Sequence, residues 1–299
     1  MKMGQTCGRR AILAPICTLV FHIAAIGEPP GKTLLVVAHP DDEYYFAATV
    51  YRMAVQLSGQ VDELIVTDGE GGFRYSTLAE PYYKTPLTIE AIGRKELPEI
   101  RKKEALNAGK VLGIKRHFFL GQKDERFTTD EDSGLHGWDS TLVIHKIAAL
   151  VRENHYQYVF SILPRSTTHG EHQAATALAA DAIRALPENI RPVLLGFDTD
   201  PANFQPAQNL QEGQKWSSAH VYAFDRTTRF GFHNALSYQI IVDWMIAEHK
   251  SQGLLQTMCG RDAREYAWID LASGLHPQTE AQSLFRKLDN GSGRQGGEQ

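Results

Sequence analysis

The amino-acid sequence predicts an α/β fold with a mostly parallel central sheet. Short apolar strands alternate with helical segments along the 299-residue chain, which is the pattern of right-handed β-α-β crossovers. The opening strand, residues 33–37, is apolar or β-branched at every position, as expected of a parallel strand that is buried on both faces. Helices on both faces of such a sheet give a Rossmann-like fold of three layers.

The individual elements follow from hydrophobic periodicity and from the turn residues between them. Strands are predicted at residues 33–37, 61–67, 116–120, 156–163, 191–197 and 219–224. Helices are predicted at residues 44–57, 89–112, 141–153, 171–186 and 232–252, with Pro98 dividing the second helix. Because 42% of the chain is hydrophobic, we expect residues 32–287 to form a single domain with a substantial core. Residues 288–299 are rich in glycine and are expected to form a disordered tail.

The first 27 residues differ in composition from the rest of the chain. Three basic residues and no acid precede an almost wholly apolar stretch, residues 11–26. That stretch is shorter than the ~20 residues of a membrane-spanning helix, and small residues before Gly27 are typical of a signal-peptidase site. The pattern predicts a signal peptide over residues 1–27 and an exported protein. Two alternatives stay open: an uncleaved membrane anchor, and a cytoplasmic protein whose start is misassigned.

The charge and the cysteine content exclude several classes of protein. The net charge is −4, and no basic stripe with interleaved aromatic residues is present, so we expect no nucleic-acid partner. The three cysteines, Cys7, Cys17 and Cys259, are too few for a disulfide framework and too scattered for a zinc cluster. The sequence does not predict the oligomeric state.

Chemically reactive residues follow the opening strand directly, in the run His39-Pro40-Asp41-Asp42-Glu43. Pro40 cannot donate a hydrogen bond to the sheet, so the strand must end there. The carboxyl ends of parallel strands are where open α/β sheets bind their ligands. Because burying three carboxylates is costly without a cation among them, this run predicts a divalent metal site.

A second run of ligand-type residues, His169-Gly170-Glu171-His172, follows the fourth predicted strand. Taken alone, this run is also compatible with a surface turn, and the acidic run with the first turn of a helix. Together they offer two imidazoles and one carboxylate as ligands, plus a spare imidazole and a spare carboxylate. Catalytic zinc sites use three such ligands and keep one position open for water. The two runs together therefore predict a catalytic metal centre where their strand ends meet.

The run Ala38-His39-Pro40-Asp41-Asp42-Glu43 resembles the signature of the LmbE-like, or PIG-L, family. That resemblance implies a metal-dependent hydrolase that removes an N-acetyl group from an N-acetylglucosamine-type sugar or sugar conjugate. Shorter segments resemble the family in the same order over residues 33–252. They are residues 67–70, 101–105, 112–113, 124, 169–172 and 249–252.

Residue by residue, the resemblance implies metal ligands at His39, Asp42 and His172, with Asp41 as the general base. Zinc is the expected metal, although two histidines and one carboxylate also suit ferrous iron. Such a metal lowers the pKa of bound water from ~15.7 towards ~7. Asp41 would then accept the proton that the attacking water gives up.

The same resemblance implies roles for four further residues. His169 would stabilise the oxyanion and protonate the leaving amine, and Glu171 would orient His169. Arg101 and Asp124 would contact the sugar, although a role as a loop cap is an equal expectation for Asp124.

Two positions depart from the family pattern. Glu171 stands where the family usually has Asp, so the extra methylene group can move the carboxylate. Thr167 stands where some relatives have tyrosine, which leaves the role of that position in oxyanion stabilisation open. Neither change removes a metal ligand. For Glu104 and Ser251 we expect structural roles.

The loops decide which substrate such a site would take, and the sequence says little about them. Long loops are expected at residues 73–86, 125–139 and 198–218. The tyrosines of the first loop, Tyr75, Tyr82 and Tyr83, are expected to pack on one another rather than on a sugar. Just before this loop, Gly71 and Gly72 are expected to form a plain tight turn.

Three other functions are compatible with parts of the pattern. The same site would serve a metal-dependent amidase or esterase that acts on a non-sugar acyl group. A non-catalytic exported sugar-binding domain is less favoured, because the complete set of predicted ligands and catalytic residues is present. A nucleotide-binding protein is disfavoured, because no glycine fingerprint follows the first strand.

Overall fold

The computed structural model describes residues 28–200 and 216–289. The predicted signal peptide or anchor, most of the predicted loop at 198–218 and residues 290–299 of the predicted tail lie outside the described residues. Within the described ranges, no helix is both long enough and apolar enough to cross a membrane.

The strands form one large sheet and one small hairpin. They are β1 (Lys32–Val37), β2 (Gln60–Thr67), β3 (Arg116–Gln122), β4 (Tyr158–Ile162), β5 (Val193–Asp198), β6 (Trp216–Asp225), β7 (Arg229–Phe230), β8 (Leu236–Ser237) and β9 (Arg264–Asp270). The large sheet has the order β3-β2-β1-β4-β5-β9-β6, and β7 pairs with β8. Strands β1 to β5 are parallel, and β9 runs antiparallel to β5 and to β6. The predicted, mostly parallel central sheet is confirmed.

Helices cover both faces of this sheet. They are α1 (Ala47–Tyr51), α2 (Glu80–Tyr83), α3 (Glu90–Leu112), α4 (Glu131–Gly134), α5 (Ser140–Asn154), α6 (Gly170–Arg184), α7 (Tyr238–Glu248), α8 (Gly253–Gln256) and α9 (Pro277–Asp289). One buried apolar cluster includes residues of α1, α3, α7 and α9, and the other includes residues of α5 and α6. The Rossmann-like arrangement of three layers is therefore confirmed.

Strand β1 contributes to both clusters because successive side chains point to opposite faces. Leu35 and Val37 belong to the cluster with α1 and α3, whereas Leu34 and Val36 belong to the cluster with α5 and α6. All four side chains are buried. The absence of polar residues from positions 34–37 therefore follows from the central position of this strand.

The direction of winding reverses at β1. The chain adds β2 and β3 on one side of β1, and β4 and β5 on the other. Loops that leave β1 and β4 therefore diverge, and a crevice opens at the carboxyl ends of these two strands. Both runs of predicted metal ligands leave the sheet at this crevice.

Two predictions about helices near the site needed correction. Helix α3 continues through Pro98 instead of being divided by it. The helix buries Leu97, Arg101 and Glu104 on one face, so its packing outweighs the ~3 kcal/mol that an interior proline costs. The predicted helix at 44–57 is helical, but it changes from a 3₁₀ turn (Asp42–Phe46) through α1 to a π-helix (Arg52–Gln56).

The carboxyl-terminal third was predicted least well. The predicted helix at 232–252 is replaced by a 3₁₀ turn (Phe232–Asn234), strand β8 and the shorter helix α7, and the break coincides with His233 and Asn234, whose φ values are 51° and 53°. Strand β9 and helix α9 were not predicted. Leu288 is buried and α9 runs to Asp289, so the domain extends past the predicted boundary at residue 287.

Candidate metal centre and active site

The two predicted ligand runs meet at the crevice between β1 and β4. The backbone turns sharply after β1, where the Asp42 amide donates to the His39 carbonyl at 3.3 Å. His169 caps the amino terminus of α6, its Nδ1 accepting a hydrogen bond from the Glu171 amide at 3.0 Å. These two local structures bring together side chains that lie 133 residues apart in the sequence.

His39, Asp42 and His172 converge on one point. His39 Nδ1 lies 3.0 Å from His172 Nε2. His172 Nε2 lies 3.0 Å from Asp42 Oδ1, and His39 Nδ1 lies 3.6 Å from Asp42 Oδ2. Ligands at ~2.0–2.1 Å from a tetrahedral zinc ion are ~3.3 Å apart. The three side chains therefore fit a metal ion, and two histidines with one carboxylate are a ligand set that suits zinc or iron.

The surroundings of Asp42 favour its ionised form. Its Oδ2 accepts hydrogen bonds from the backbone amides of Ala38 at 3.0 Å and His39 at 2.8 Å. Burial alone would raise the pKa of Asp42, but the charges of His172 and His39 outweigh burial and hold that pKa well below its ordinary value. For His39, burial acts to lower the pKa, and Asp42 and Glu171 outweigh burial and raise it.

The carboxylate of Glu171 contacts His39 and not, as predicted, His169. Its Oε2 lies 2.8 Å from His39 Nε2, and its Oε1 accepts from the Glu125 amide at 3.1 Å. The prediction that this carboxylate orients His169 is therefore wrong; only the Glu171 backbone amide contacts His169. The longer glutamate side chain instead fixes His39 with Nε2 protonated and Nδ1 turned towards the metal ligands, as carboxylates often do beside metal-binding histidines.

His169 lies beside the metal centre without belonging to its ligand triad. Its ring centroid is 5.1 Å from that of His39 and 5.2 Å from that of His172. Because Nδ1 accepts the Glu171 amide, the proton of the neutral ring resides on Nε2. Burial, with the charges of His39 and His172, lowers the pKa of His169 to about 3, which keeps the ring neutral near pH 7. His39, His169 and Glu171 also form a second set of potential ligands, which shares His39 with the first.

Asp41 lies next to the ligand Asp42 but has a different environment. Its backbone has φ 147° and ψ −6°, a conformation that is strained for any residue except glycine. Its carboxylate lines the cavity, and its Oδ1 accepts a hydrogen bond from Arg101 Nη2 at 2.8 Å. Burial raises the pKa of Asp41, although the charge of Arg101 acts in the opposite direction.

The other two predicted contact residues lie on either side of a glycine-rich segment. Arg101 is buried and hydrogen-bonded to backbone carbonyls, and Asp124 Oδ2 lies 4.0 Å from Arg101 Nη1. A Cβ atom at Gly71 would lie 2.2 Å from Asp124 Oδ1, and one at Gly72 would lie 2.8 Å from Arg101 Nη1. The prediction of a plain turn is therefore wrong for Gly71, which lets the backbone approach the buried Asp124 carboxylate, whereas the atoms close to Gly72 are the ends of the long Arg101 and Gln252 side chains.

A buried polar layer behind the site was missed by the sequence reasoning. His249 Nε2 lies 2.6 Å from Glu43 Oε1. Glu104 accepts hydrogen bonds from the amide and the hydroxyl of Ser251, at 2.8 and 2.6 Å, and from the Tyr83 hydroxyl at 2.7 Å. The predicted structural roles of Glu104 and Ser251 agree with these contacts. The resemblance at 249–252 was the signal that could have placed His249 here.

The site opens into a cavity of about 690 Å³. The buried part of its lining, its floor, includes His39, Asp42 and Asp124. Asp41, His169 and His172 are partly buried, and Thr167 is exposed. Three apolar or aromatic side chains at the mouth are exposed: Tyr75 by 40%, Phe127 by 62% and Leu254 by 54%. The cavity is therefore polar at its floor and partly apolar at its mouth.

The fold and the site together define a Rossmann-like α/β protein with a candidate metal centre at the point where its winding reverses. The model of the PIG-L family, described as GlcNAc-PI de-N-acetylase, matches residues 34–183. This match covers half of the chain, so the protein belongs to the PIG-L family and the predicted resemblance is confirmed.

Among curated proteins, a similar relative is described as a probable N-acetyl-alpha-D-glucosaminyl L-malate deacetylase 2 from Bacillus anthracis. It is 30% identical over 159 residues, which are 53% of this chain and 62% of that protein. A relative of the same description from Bacillus cereus is 27% identical over 54% of this chain and 64% of that protein. The match thus spans less than two thirds of these relatives.

Three solved structures share the fold. N,N'-diacetylchitobiose deacetylase from Pyrococcus horikoshii has a TM-score of 0.52 and 18% identity over 81% of this chain and 84% of its own. The zinc-inhibited form of a teicoplanin deacetylase has a TM-score of 0.53 and 15% identity over 80% and 97%. The 4-carboxy-2-hydroxymuconate hydratase of Pseudomonas putida has a TM-score of 0.51 and 14% identity over 80% and 95%. A hydratase among these neighbours illustrates that the fold alone does not fix the reaction.

Proposed function

We propose that this protein is a metal-dependent N-deacetylase that hydrolyses the acetamide of an N-acetylglucosamine-type sugar or sugar conjugate. The observation that carries the proposal is the position of Asp41, a carboxylate beside the His39-Asp42-His172 triad that is not one of the three ligands. Metal-assisted hydrolysis needs such a separate proton acceptor next to the metal. The family match and the activities described for the relatives support the same class of substrate.

In this mechanism the metal would polarise the amide carbonyl and acidify the attacking water. Asp41 accepts the proton that water gives up, and its raised pKa favours that role. His169 donates its Nε2–H to the oxyanion, because its Nδ1 is already engaged by the Glu171 amide. The proton held by Asp41 then passes to the departing nitrogen, which leaves the amine and acetate as products.

The substrate we favour is a sugar conjugate rather than a free monosaccharide. The cavity volume, about 690 Å³, lies within the ~300–1,000 Å³ of typical small-molecule sites. Asp124 belongs to the floor of the cavity, where its carboxylate can accept hydrogen bonds from sugar hydroxyls. The partly apolar mouth leaves room for the group attached to the sugar.

We propose zinc as the metal, with ferrous iron as the alternative. The two-histidine, one-carboxylate set suits both ions. The test is metal analysis of full-length protein purified without added metal, for the wild type and His172→Ala in parallel. About one zinc or iron ion per wild-type chain, absent from the variant, is the expected result. A wild type that binds no metal after reconstitution would contradict the site.

A second candidate is an amidase or esterase for a less polar, non-sugar acyl substrate. The exposed Tyr75, Phe127 and Leu254 at the mouth favour it. The deciding experiment offers full-length, zinc-loaded protein N-acetylglucosamine, diacetylchitobiose, an N-acetylglucosaminyl malate conjugate, and aryl or alkyl amides and esters. Acetate release from the acetamido sugars, lost with a chelator and restored by zinc, is expected. Turnover of the non-sugar compounds alone would replace the sugar proposal with the second candidate.

Export through residues 1–27 also remains a proposal, with membrane attachment or a cytoplasmic location as the alternatives. Fractionation of expressing cells, followed by sequencing of the mature amino terminus, tests it. A mature protein outside the cytoplasm that begins near Glu28 is the expected outcome. An uncleaved soluble chain in the cytoplasm would overturn export.

A further inference from the structure

A buried arginine joins the turn that carries the predicted ligand Asp42 to the carboxyl-terminal strands. Arg226 follows β6 and Glu265 lies in β9; both side chains are fully buried, and Arg226 Nε donates to Glu265 Oε1 at 3.0 Å. Arg226 also donates to the Tyr44 carbonyl, and its guanidinium carbon lies 4.6 Å from the centre of the Tyr44 ring. Because Tyr44 belongs to the 3₁₀ turn that begins at Asp42, the arginine fixes this tyrosine beside the candidate metal centre.

The same contacts hold Asp262 in the lining of the cavity. Arg226 Nη1 donates to the Asp262 carbonyl at 3.3 Å, and the Tyr44 hydroxyl donates to Asp262 Oδ2. Thr199, the residue after β5, donates its hydroxyl to the same oxygen at 3.1 Å. Burial raises the pKa of Tyr44 to about 12, so its hydroxyl keeps the proton that it donates. Asp262 is therefore held by its backbone and by one of its two carboxylate oxygens.

The other carboxylate oxygen of Asp262 is left for a ligand. Within residues 28–200 and 216–289, no hydrogen bond or ion pair reaches Asp262 Oδ1. The side chain is partly buried and lines the cavity. Asp198, another carboxylate of the lining, is instead paired with Arg165 at 3.0 Å. Because a carboxylate oxygen accepts hydrogen bonds and donates none, Asp262 offers a fixed acceptor to a hydroxyl group in the cavity.

Asp262 and Asp124 lie on opposite sides of the candidate metal centre. The predicted ligands follow β1 and β4, which are neighbours in the sheet, with β3 on one side of them and β5 and β9 on the other. Asp124 follows β3, whereas Asp262 precedes β9 and contacts the residue after β5. Both carboxylates line the same cavity. A substrate that fills this cavity would therefore meet hydrogen-bond acceptors on both sides of the metal.

We propose that Asp262 is a further substrate-binding residue, which accepts a hydrogen bond from a hydroxyl group of the unit attached to the acetamido sugar. This proposal rests on the proposed function and narrows the substrate to conjugates whose attached unit is itself a sugar or another polyol. Tyr44 is a positioning residue that holds Asp262 Oδ2. Both the proposal and its residue are new to the family match, because Asp262 lies outside the matched residues 34–183.

The test compares two substrates on full-length, zinc-loaded protein. Diacetylchitobiose carries hydroxyl groups on its attached unit, whereas hexyl N-acetylglucosaminide carries none there. The variant is Asp262→Gly, because glycine adopts the φ of 50° found at Asp262 at little cost. We expect this change to raise KM for diacetylchitobiose ~10-fold or more with kcat within ~2-fold, because it removes a hydrogen bond to a charged group. KM for the hexyl glycoside should change less than ~2-fold.

The matched control is Asp225→Ala. Asp225 Oδ1 also accepts from a neighbouring hydroxyl, Thr227 Oγ1 at 2.6 Å, but this aspartate lies outside the cavity lining. Its substitution should leave both KM values unchanged. A KM for diacetylchitobiose that is unaltered in Asp262→Gly, or that rises equally for the two substrates, would overturn the proposal.

A second variant, Tyr44→Phe, keeps the ring under Arg226 and removes only the hydroxyl that holds Asp262. It should raise KM for diacetylchitobiose by ~3–5-fold, less than the loss of the carboxylate itself. KM for the hexyl glycoside should again stay unchanged. If Asp262→Gly does not fold, this variant decides: an absent or unselective rise in KM would overturn the proposal.

Calorimetric binding gives a readout that does not depend on turnover. The two compounds are titrated into zinc-loaded Asp41→Asn and into the double variant Asp41→Asn/Asp262→Gly. The dissociation constant of diacetylchitobiose should be ~10-fold higher in the double variant, and that of the hexyl glycoside should be equal in both. Equal constants for diacetylchitobiose would overturn the proposal. Failure of the wild type to release acetate from every substrate would instead refute the proposed function, and the binding data would still decide whether Asp262 contacts the attached unit.

Discussion

Two arginine–aspartate pairs lie near opposite ends of the parallel strands, and the pKa values of the two carboxylates shift in opposite directions because their other surroundings differ. Near the amino ends of β2 and β3, Arg116 contacts both oxygens of Asp62, at 3.2 and 2.6 Å, and the hydroxyl of Tyr156 adds a third bond at 2.6 Å. Near the carboxyl ends, Arg101 contacts Asp41 Oδ1 alone at 2.8 Å. The first carboxylate is saturated, whereas the second retains capacity to accept a proton.

The pKa values of the two aspartates differ accordingly. Burial opposes ionisation of Asp62, but hydrogen bonds from Arg116 and Tyr156 outweigh burial and lower its pKa. Burial raises the pKa of Asp41 despite the charge of Arg101. Asp62 also lies in a regular strand, whereas Asp41 lies in a strained turn. The same pair of residue types therefore holds a saturated carboxylate at the amino ends of the strands and, at their carboxyl ends, the carboxylate that we propose as the base.

Removing the proposed base should have the largest effect on activity. Asp41→Asn keeps the shape of the side chain but removes the proton acceptor, so we expect kcat/KM for acetate release to fall ~10²–10⁴-fold. Asp62→Asn should leave kcat/KM within a few-fold of the wild type. Initial rates at matched metal content measure both. Full activity in Asp41→Asn would remove Asp41 from the mechanism.

Breaking the Arg116–Asp62 pair should reduce stability instead of activity. Asp62→Ala removes a carboxylate that accepts several hydrogen bonds, and we expect a loss of ~2 kcal/mol in the free energy of unfolding. Arg116 is 45% exposed, so water can solvate it after the change. Urea denaturation gives the loss, and kcat should be retained below the unfolding transition. Lost activity in a variant of unchanged stability would contradict the assignment of Asp62 to structure.

A third buried carboxylate, Glu171, contacts the predicted ligand His39 without belonging to the His39-Asp42-His172 triad. Its substitution therefore tests whether orienting His39 contributes to metal binding. Glu171→Gln keeps a hydrogen-bond acceptor near His39 but removes the charge, so the zinc dissociation constant should rise ~10–100-fold. Competition with a fluorescent chelator measures that constant. Glu188→Gln, at an exposed position, is the control and should change nothing. Unaltered zinc affinity in Glu171→Gln would mean that the contact with His39 does not support metal binding.

The Arg116–Asp62 pair also predicts how the free energy of unfolding depends on pH. Because the folded-state pKa of Asp62 is lowered, its contribution is present above the unfolded pKa of ~3.9 and is lost as the pH falls through the lower folded value. The stability difference between the wild type and Asp62→Ala should therefore be full at pH 7 and smaller at pH 3. Urea midpoints at the two pH values test this, and a difference that grows in acid would contradict it.

The strain at Asp41 should give the smallest measurable effect. Asp41→Gly and Asp41→Ala both remove the carboxylate, but glycine tolerates the positive φ and alanine does not. The glycine variant should be more stable than the alanine variant by ~1 kcal/mol. Thermal unfolding compares them directly. An alanine variant of equal or greater stability would mean that the backbone at this position relaxes easily.

The sequence was sufficient for the central strands and for bringing together the three residues of the candidate metal site. Residues 33–37 have one interpretation because no polar side chain interrupts them, and His39, Asp42 and His172 are fixed by short spacings after strand ends. Such signals are local and strong. Their meeting could be predicted because neighbouring parallel strands end at one edge of a sheet.

What the sequence could not give depends on tertiary contacts. The interior Pro98 is tolerated because one face of α3 is packed, and Gly71 needs its missing side chain because Asp124 lies against it. Glu171 is one methylene group longer than the aspartate usual in the family, and the sequence alone does not give which histidine its carboxylate contacts. Arg101 matched a family position, but only the structure shows that it donates hydrogen bonds to the Gly69 and Pro40 carbonyls and to Asp41. Strand β9 and helix α9 were not predicted, because they lie after residue 252, where the recognised motifs end.

The distance along the chain between the two ligand runs has a consequence for folding. His39 and His172 are 133 residues apart, and they meet only after β1 and β4 have paired in parallel. Pairing across such a separation closes a long loop and is slow compared with local helix formation. An ion bound at this site recognises only the assembled chain, so at a concentration 100 times its dissociation constant it would stabilise that chain by ~2.7 kcal/mol. The metal would thus act late in folding, and the fraction of chains that retain it would report how many have completed the sheet.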